Sequence, residues 1–212
     1  MKRGLFITFE GTDGSGKSTQ VANVRRFLEE KGIPYLYTRE PGGTPVGEKI
    51  RDVILDPENR RMEPLTEALL YAASRCENVR ENICPALSRG ELVLCDRFLD
   101  SSIAYQGAGR ELGEIVRTVN RDAVAGLVPD RTYLFDLPPE IGRKRIEAQG
   151  SMDRIEREEL AFHRRVREGY LKLAEQEPER FLVLDGTAAR DALEERILND
   201  LRQVLTAAGV SR

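Results

Sequence analysis

The chain has 212 residues, 40% of them hydrophobic, which suits one α/β domain with a sizeable core. Lys and Arg number 33 against 36 Asp and Glu, a formal charge of -3, so no global basic field argues for nucleic acid. No apolar run is long enough to span a bilayer.

Met1-Lys2-Arg3 and the short apolar run behind it imitate the start of a secretion signal, but Glu10 ends that run too early. Cys76, Cys84 and Cys95 are odd in number and lack metal-ligand spacing, so they read as reduced, packed thiols of a cytoplasmic protein. His163 is the only histidine and sits among charges, where a surface or packing role is expected.

Leu5-Phe6-Ile7-Thr8-Phe9 reads as a first buried strand. Gly11-Thr12-Asp13-Gly14-Ser15-Gly16-Lys17-Ser18 follows and fits the pattern G-x-x-x-x-G-K-[ST]. In such a loop the glycines let several N–H groups converge on one anion, and the next helix adds the positive end of its dipole. Lys17 is placed to reach β- and γ-phosphates, and Ser18 to ligate Mg²⁺. That next helix is marked by Val21, Val24, Phe27 and Leu28 at helical spacing.

Gly32-Ile33-Pro34 breaks the chain before a second strand at Tyr35-Leu36-Tyr37, which ends in the loop from Arg39 to Thr44. A short helix is expected over 47–55, and a longer one from Glu63-Pro64 to about Leu87. Leu92-Val93-Leu94-Cys95 is a third strand running straight into Asp96-Arg97. A loop-and-helix region follows over 100–109, then a helix over 113–125. Thr132-Tyr133-Leu134-Phe135 is the fourth strand, and Pro138-Pro139 opens a helix that weakens near Gly150. A basic helix with Phe162, Val166, Tyr170 and Leu173 on one face leads to the fifth strand, Phe181-Leu182-Val183-Leu184. Asp185-Gly186-Thr187 turns into the last helix, with Leu193, Ile197, Leu201, Val204 and Leu205 facing inward.

Short, wholly apolar strands alternating with helices predict a three-layer α/β fold: a five-stranded parallel sheet covered by helices on both faces. Ligands in such folds gather at the carboxyl ends of strands, where Asp13, Arg39, Asp96, Arg97 and Asp185 all fall. An apolar strand ending in Asp96 is the pattern of a second Mg²⁺-holding element. The region from Gly142 to Arg154 carries glycine and charge with few apolar anchors, which makes it the candidate mobile flap.

Arg39, Arg51, Arg75 and Arg97 lie near strand or loop ends, and no acid–base pair stands out. A hydroxyl acceptor needs a base, whereas a phosphate monoester, with a second pKa of about 6, is already largely dianionic. Arginines and Mg²⁺ without a base therefore point to phosphoryl transfer onto a phosphate.

Together these motifs resemble the thymidylate kinases of bacterial type, over nearly the whole chain. The likeness is carried by Phe9-Glu10-Gly11 through Ser18-Thr19, by Thr38-Arg39-Glu40-Pro41-Gly42-Gly43-Thr44, by Asp96-Arg97-Phe98 with Ser101 to Gly107, and by Asp153-Arg154-Ile155-Glu156. The resemblance implies a phosphate-loop NTPase fold, a single nucleoside monophosphate kinase domain over 1–212 with a lid around 142–156, and a homodimer. It implies transfer of the γ-phosphoryl of ATP to dTMP with Mg²⁺, giving dTDP for dTTP synthesis.

By the same resemblance, Gly11, Thr12, Asp13, Gly14, Ser15, Gly16, Lys17, Ser18 and Thr19 hold ATP, with Arg145 against adenine and Asp185-Gly186-Thr187 bordering it. Ser18 and Asp96 hold the metal. Arg97, helped by Arg39 or Arg51, grips the acceptor phosphate. Tyr71 stacks on thymine and Arg75 bonds a thymine carbonyl. Ser102 and Gln106 line the base pocket, and Tyr105 crowds the 2′ position. Lys17, Arg97, Asp13 and Arg154 are the catalytic set. Many bacterial relatives carry a basic lid residue where this chain has Gln149, so transition-state charge falls to Arg154, with Arg145 second. On their surroundings alone, Tyr71 and Tyr105 can also be read as core, Arg75 as an ion pair and Arg51 as a solvated helix residue. Rival readings are a kinase for another nucleotide or nucleoside, a non-enzymatic nucleotide-binding module, and a GTPase switch. The last usually carries N-K-x-D, a tetrapeptide missing from this chain.

Overall fold

A computed structural model of the chain describes residues 3–148, 150 and 152–210. Five strands, β1 (Phe6–Gly11), β2 (Tyr35–Arg39), β3 (Leu92–Asp96), β4 (Arg131–Asp136) and β5 (Phe181–Asp185), form one sheet in the order β2-β3-β1-β4-β5. Every neighbouring pair is parallel, with Ile7 opposite Leu94 and Phe9 opposite Tyr133.

Period-two alternation sends these apolar strands into two cores. Ile7, Phe9, Leu92, Leu94 and Tyr133 face α1 (Lys17–Glu30) and α9 (Arg190–Ala208), meeting Val24, Leu28, Ile197 and Leu201. On the opposite face Phe6, Val93 and Cys95 pack on Val79, Ile83, Ala86 and Leu87, just beyond α3 (Pro64–Asn78), and Leu134 packs on α8 (Leu160–Gln176). The edge strand β5 is less protected: Val183 remains 37% exposed. No described helix is long and apolar enough to cross a membrane.

The helix expected to reach Leu87 is built in three parts. α3 ends at Asn78, a π-helical turn spans Val79–Ile83, and α4 is Cys84–Ser88. Pro85 explains the break, because its ring cannot donate to the preceding turn and crowds the carbonyl there. The chain widens, and the Cys84 N–H bonds the Val79 carbonyl.

The 100–109 region begins as α5 (Leu99–Ser102) and opens into a second π-helical stretch, Ile103–Gly109, lying on α8. The helix expected over 113–125 is shorter: α6 is Ile115–Asn120, followed by turns in which Ala125 and Gly126 take positive φ. α2 (Pro45–Leu55) starts two residues earlier than expected, because Thr44 Oγ1 accepts the Gly47 N–H and Pro45 suits the first turn. α7 (Pro139–Glu147) opens after its proline pair as expected.

Candidate active site

The loop after β1 is bent by Gly11 at φ 139°, Gly14 at φ 73° and Gly16 at φ 90°, in the region that favours glycine. It also needs room. A Cβ on Gly14 would stand 2.6 Å from the Gly142 carbonyl oxygen, and one on Gly142 equally close to that of Asp13. The start of α7 and the loop therefore touch backbone to backbone.

Lys17 is buried and folds back so that Nζ lies 3.4 Å from the Gly11 carbonyl oxygen. Burial, then Arg97, pulls its pKa down, and Asp96, Asp13 and Glu10 oppose that. Ser18 at the head of α1 is exposed. One oxygen of Asp96, at the end of β3, is buried without a hydrogen-bond partner. A short hydroxyl beside the loop and an orphaned carboxylate oxygen are a donor set suited to Mg²⁺, a hard cation that prefers oxygen and keeps several waters. No cluster of three or more His, Cys, Asp or Glu suited to a metal exists among the described residues, and a site completed by phosphates needs none.

Arg97 follows Asp96 with φ 69°, a conformation uncommon for a side chain larger than Gly or Asn and one that clusters at functional sites. The twist turns its guanidinium back across β1. Nη1 donates to the Gly11 carbonyl at 2.8 Å, and Nη2 to Asp13 Oδ1 at 2.6 Å. Tyr105 O–H donates to the other oxygen of Asp13 at 2.7 Å. Burial alone would raise the Asp13 pKa, but Arg97 and Lys17 outweigh it and bring it down to about 2.

Beside this group lies a cleft of about 450 Å³. Asp13, Arg51, Tyr71, Arg97, Tyr105 and Gln106 line it, with Glu40 and Asp153. Tyr71 comes from α3 and Arg51 from α2, where Nη1 of Arg51 donates to the Pro41 carbonyl. Tyr105 and Gln106 come from the π-helical stretch. The amide nitrogen of Gln106 donates to Glu67, and its Oε1 is buried without a partner.

Other expected residues are set back from the cleft. Arg75 is buried beneath its wall, bonded to Glu40, Ser102, Asn120 and the Phe98 carbonyl. These bonds use four of its five N–H groups. Ser102 supports Arg75 and does not line the cleft. Arg39 is near the surface, paired with Glu48 at 2.9 Å. Arg145 lies across the loop, donating to the Gly14 and Gly186 carbonyls. That spans the phosphate loop and the turn after β5.

Arg154 is not brought to the phosphate loop. Its Nε donates to the Ile54 carbonyl at 2.6 Å. An Nη lies 2.8 Å from Glu67 Oε2, without the alignment of a hydrogen bond. A buried guanidinium needs such partners, and α2 and α3 supply them. Its backbone N–H also bonds the Leu55 carbonyl, and Asp153 Oδ1 caps the N–H groups of Ile155 and Glu156. The flap's far end is thus fastened by polar contacts. Gln149 lies outside the described residues.

Arg143, which motif reading passed over, stands near the phosphate loop with its Nε donating to Glu147. With Thr12, Asp13, Glu156 and His163 it lines a second hollow of about 280 Å³. Its helical position at the close approach of Gly142 to Asp13 is the signal, but only the folded backbone reveals that approach. His163 joins the same hollow, and burial holds its pKa down against the pull of Asp13.

A parallel sheet of this order, with a phosphate loop after β1 and a cleft holding Arg97 beside it, defines a phosphate-loop nucleotide-binding protein. Thymidylate kinase is the family whose model matches residues 9–197. Thymidylate kinase of Deinococcus radiodurans is 52% identical over 198 residues, covering 93% of this chain and 96% of that protein. Thymidylate kinase of Exiguobacterium sp. is 47% identical over 210 residues, 99% of each chain. The crystal structure of thymidylate kinase from Ehrlichia chaffeensis superposes with a TM-score of 0.75 at 32% identity, over 94% of this chain and 99% of that one. The chain belongs to the thymidylate kinase family. Thymidylate kinase activity, with ATP as co-substrate, follows from that membership.

Proposed function

We propose that the chain binds ATP on the loop 11–19 and dTMP in the adjoining cleft, and passes the γ-phosphoryl between them to give dTDP on the way to dTTP. The observation that carries this reading is the placement of one guanidinium: Arg97 is bonded to the phosphate loop and lines the cleft at once. An arginine shared by donor and acceptor sites suits a reaction whose difficulty is bringing two anions together.

The dTMP phosphate needs no base, since its second pKa of about 6 leaves it mostly dianionic. Lys17 and the loop amides hold the β- and γ-phosphates. Ser18 and Asp96 would hold Mg²⁺, which when bound offsets charge on the β- and γ-oxygens. Arg97 orients the acceptor phosphate, and Asp13 fixes Arg97. Arg51 is the nearer helper for that phosphate because it lines the cleft, whereas the Arg39–Glu48 pair does not. Tyr71 stacks on the base, the orphaned Gln106 oxygen accepts from it, and the remaining N–H of Arg75 donates to it. Tyr105 crowds the 2′ position of the sugar.

The segment around 142–156 serves as the lid of this single domain. Arg143 and Arg145 supply its cations to the phosphates, and the position of Arg154 suits a fastening role between lid and α2–α3. Val46 and Val53 on α2, with Leu65 and Leu69 on α3, are each 44–51% exposed on adjoining helices. We propose that a second copy of the chain covers them, giving a homodimer.

The mechanism is tested by following γ-labelled ATP with dTMP. Label is expected in dTDP, and Lys17→Ala is expected to slow its appearance by at least about 10²-fold. Unimpaired transfer by Lys17→Ala would overturn the mechanism.

A further inference from the structure

Arg97 does not hold its pose through Asp13 alone. The same Nη1 that donates to Gly11 lies 3.2 Å from both Ser101 Oγ and Tyr170 Oη. These two hydroxyls are 2.7 Å apart. Both converge on Oε2 of Glu10, Ser101 at 2.6 Å and Tyr170 at 2.9 Å. Oε1 of Glu10 accepts the Phe98 N–H at 2.7 Å. Glu10 is completely buried and Tyr170 is 1% exposed.

A hydroxyl that donates its hydrogen to a carboxylate keeps lone pairs free to accept. Two hydroxyl hydrogens serve the three contacts among Ser101, Tyr170 and Glu10, and both oxygens keep lone pairs that face Arg97. Neither Glu10 nor Tyr170 lines the cleft, whereas Ser101 does. Among the described residues no hydrogen bond uses the Arg97 Nε–H, so the clamp leaves a donor unspent. The Phe98 bond adds a second hold, on the backbone next to Arg97, where positive φ makes the pose costly to keep.

We infer that Glu10, Ser101 and Tyr170 form a carboxylate–hydroxyl relay that positions the Arg97 guanidinium for the acceptor phosphate. Glu10 and Tyr170 are positioning residues that act through Arg97, and Ser101 links them to it at the cleft wall. The inference rests on the reading of Arg97 as the acceptor-phosphate ligand.

The test is calorimetric binding of dTMP and of thymidine, which lacks the phosphate, to the full chain and to Tyr170→Phe, Ser101→Ala, Arg97→Ala and the Arg97→Ala/Tyr170→Phe double variant. Tyr170→Phe keeps the buried ring and removes only the hydroxyl, so it avoids the folding risk of altering Glu10. Tyr170→Phe and Ser101→Ala are each expected to weaken dTMP binding by about 3- to 10-fold, the worth of one net hydrogen bond. For Tyr170→Phe, thymidine and ATP binding should change by less than about 2-fold. In the Arg97→Ala background, Tyr170→Phe should cost dTMP nothing more. An equal loss for thymidine, no loss for dTMP, or a full additional loss in that background would overturn the relay. If Arg97→Ala itself fails to weaken dTMP more than thymidine, the reading of Arg97 falls, and the relay's purpose with it.

Discussion

A carboxyl buried beneath a phosphate cleft must find donors or give up its charge, and Glu10 does some of both. Burial, then the nearby Asp100, pushes its pKa up to about 7, against the Ser101 hydroxyl, Arg97 and the Phe98 N–H, which pull it down. The ordinary value in the unfolded chain is 4.5, so between these limits the folded state binds more protons. Stability from this group is complete below the lower value and is lost as pH rises through the upper one. The loss amounts to roughly 3 kcal/mol over the window. Glu10→Gln, which cannot ionise, is expected to flatten that component. Urea unfolding at pH 5 and pH 8 should show a smaller difference for the variant than for the parent chain. An unchanged or larger difference would contradict the burial argument.

The residues that sequence reveals and those that it hides differ in a physical way. Gly11 to Ser18 and Asp96-Arg97 are legible because their chemistry is local: the spacing itself makes the site. Glu10 reads only as the polar end of an apolar strand, since its partners Phe98, Ser101 and Tyr170 lie 88 to 160 residues away. Tyr170 reads as a core position on its helix, which it is, yet its hydroxyl serves the cleft. Arg75 reads as a ligand for the base, whereas most of its donors brace the wall.

At the scale of elements, strand positions follow from short apolar runs bounded by turn residues, and all five fall where those runs lie. The π-helical stretches were not legible. Widening a helix depends on Pro85 at one place and on packing against α8 at the other, and helical periodicity is blind to a single extra residue. The second stretch matters for function because it aims Tyr105 and Gln106 into the cleft.

The contact between α7 and the phosphate loop gives a prediction of its own. A methyl at Gly142 would meet the Asp13 carbonyl at 2.6 Å, backbone against backbone, with no flexible side chain to yield. Gly142→Ala is therefore expected to destabilise the fold by about 1–3 kcal/mol and to weaken ATP binding, read by urea unfolding and calorimetry. Full stability with native ATP affinity would show that the helix can back away freely.

For the whole molecule, the prediction concerns the exposed apolar face of α2 and α3. Leu69 is 51% exposed on a helix whose other face is packed. If a second copy buries it, sedimentation velocity should report a dimer for the parent chain and a monomer for Leu69→Glu. A monomeric parent, or a variant that still dimerises, would remove these helices as the interface. Sequence could offer only the helices, because an apolar stripe on α3 looks the same whether a neighbouring element or another chain covers it.

The arrangement as a whole joins a donor loop to an acceptor cleft through Arg97, and the choice of acceptor is the claim most open to direct attack. ADP release with ATP and Mg²⁺ should be measured in parallel with dTMP, dUMP, UMP, dCMP, AMP, GMP and free thymidine. Turnover is expected to be strongest with dTMP, lower with dUMP, slight with the ribonucleotide UMP because of Tyr105, and absent with thymidine, which offers Arg97 no phosphate. Turnover with another monophosphate above dTMP, or with thymidine itself, would contradict the assignment of the cleft.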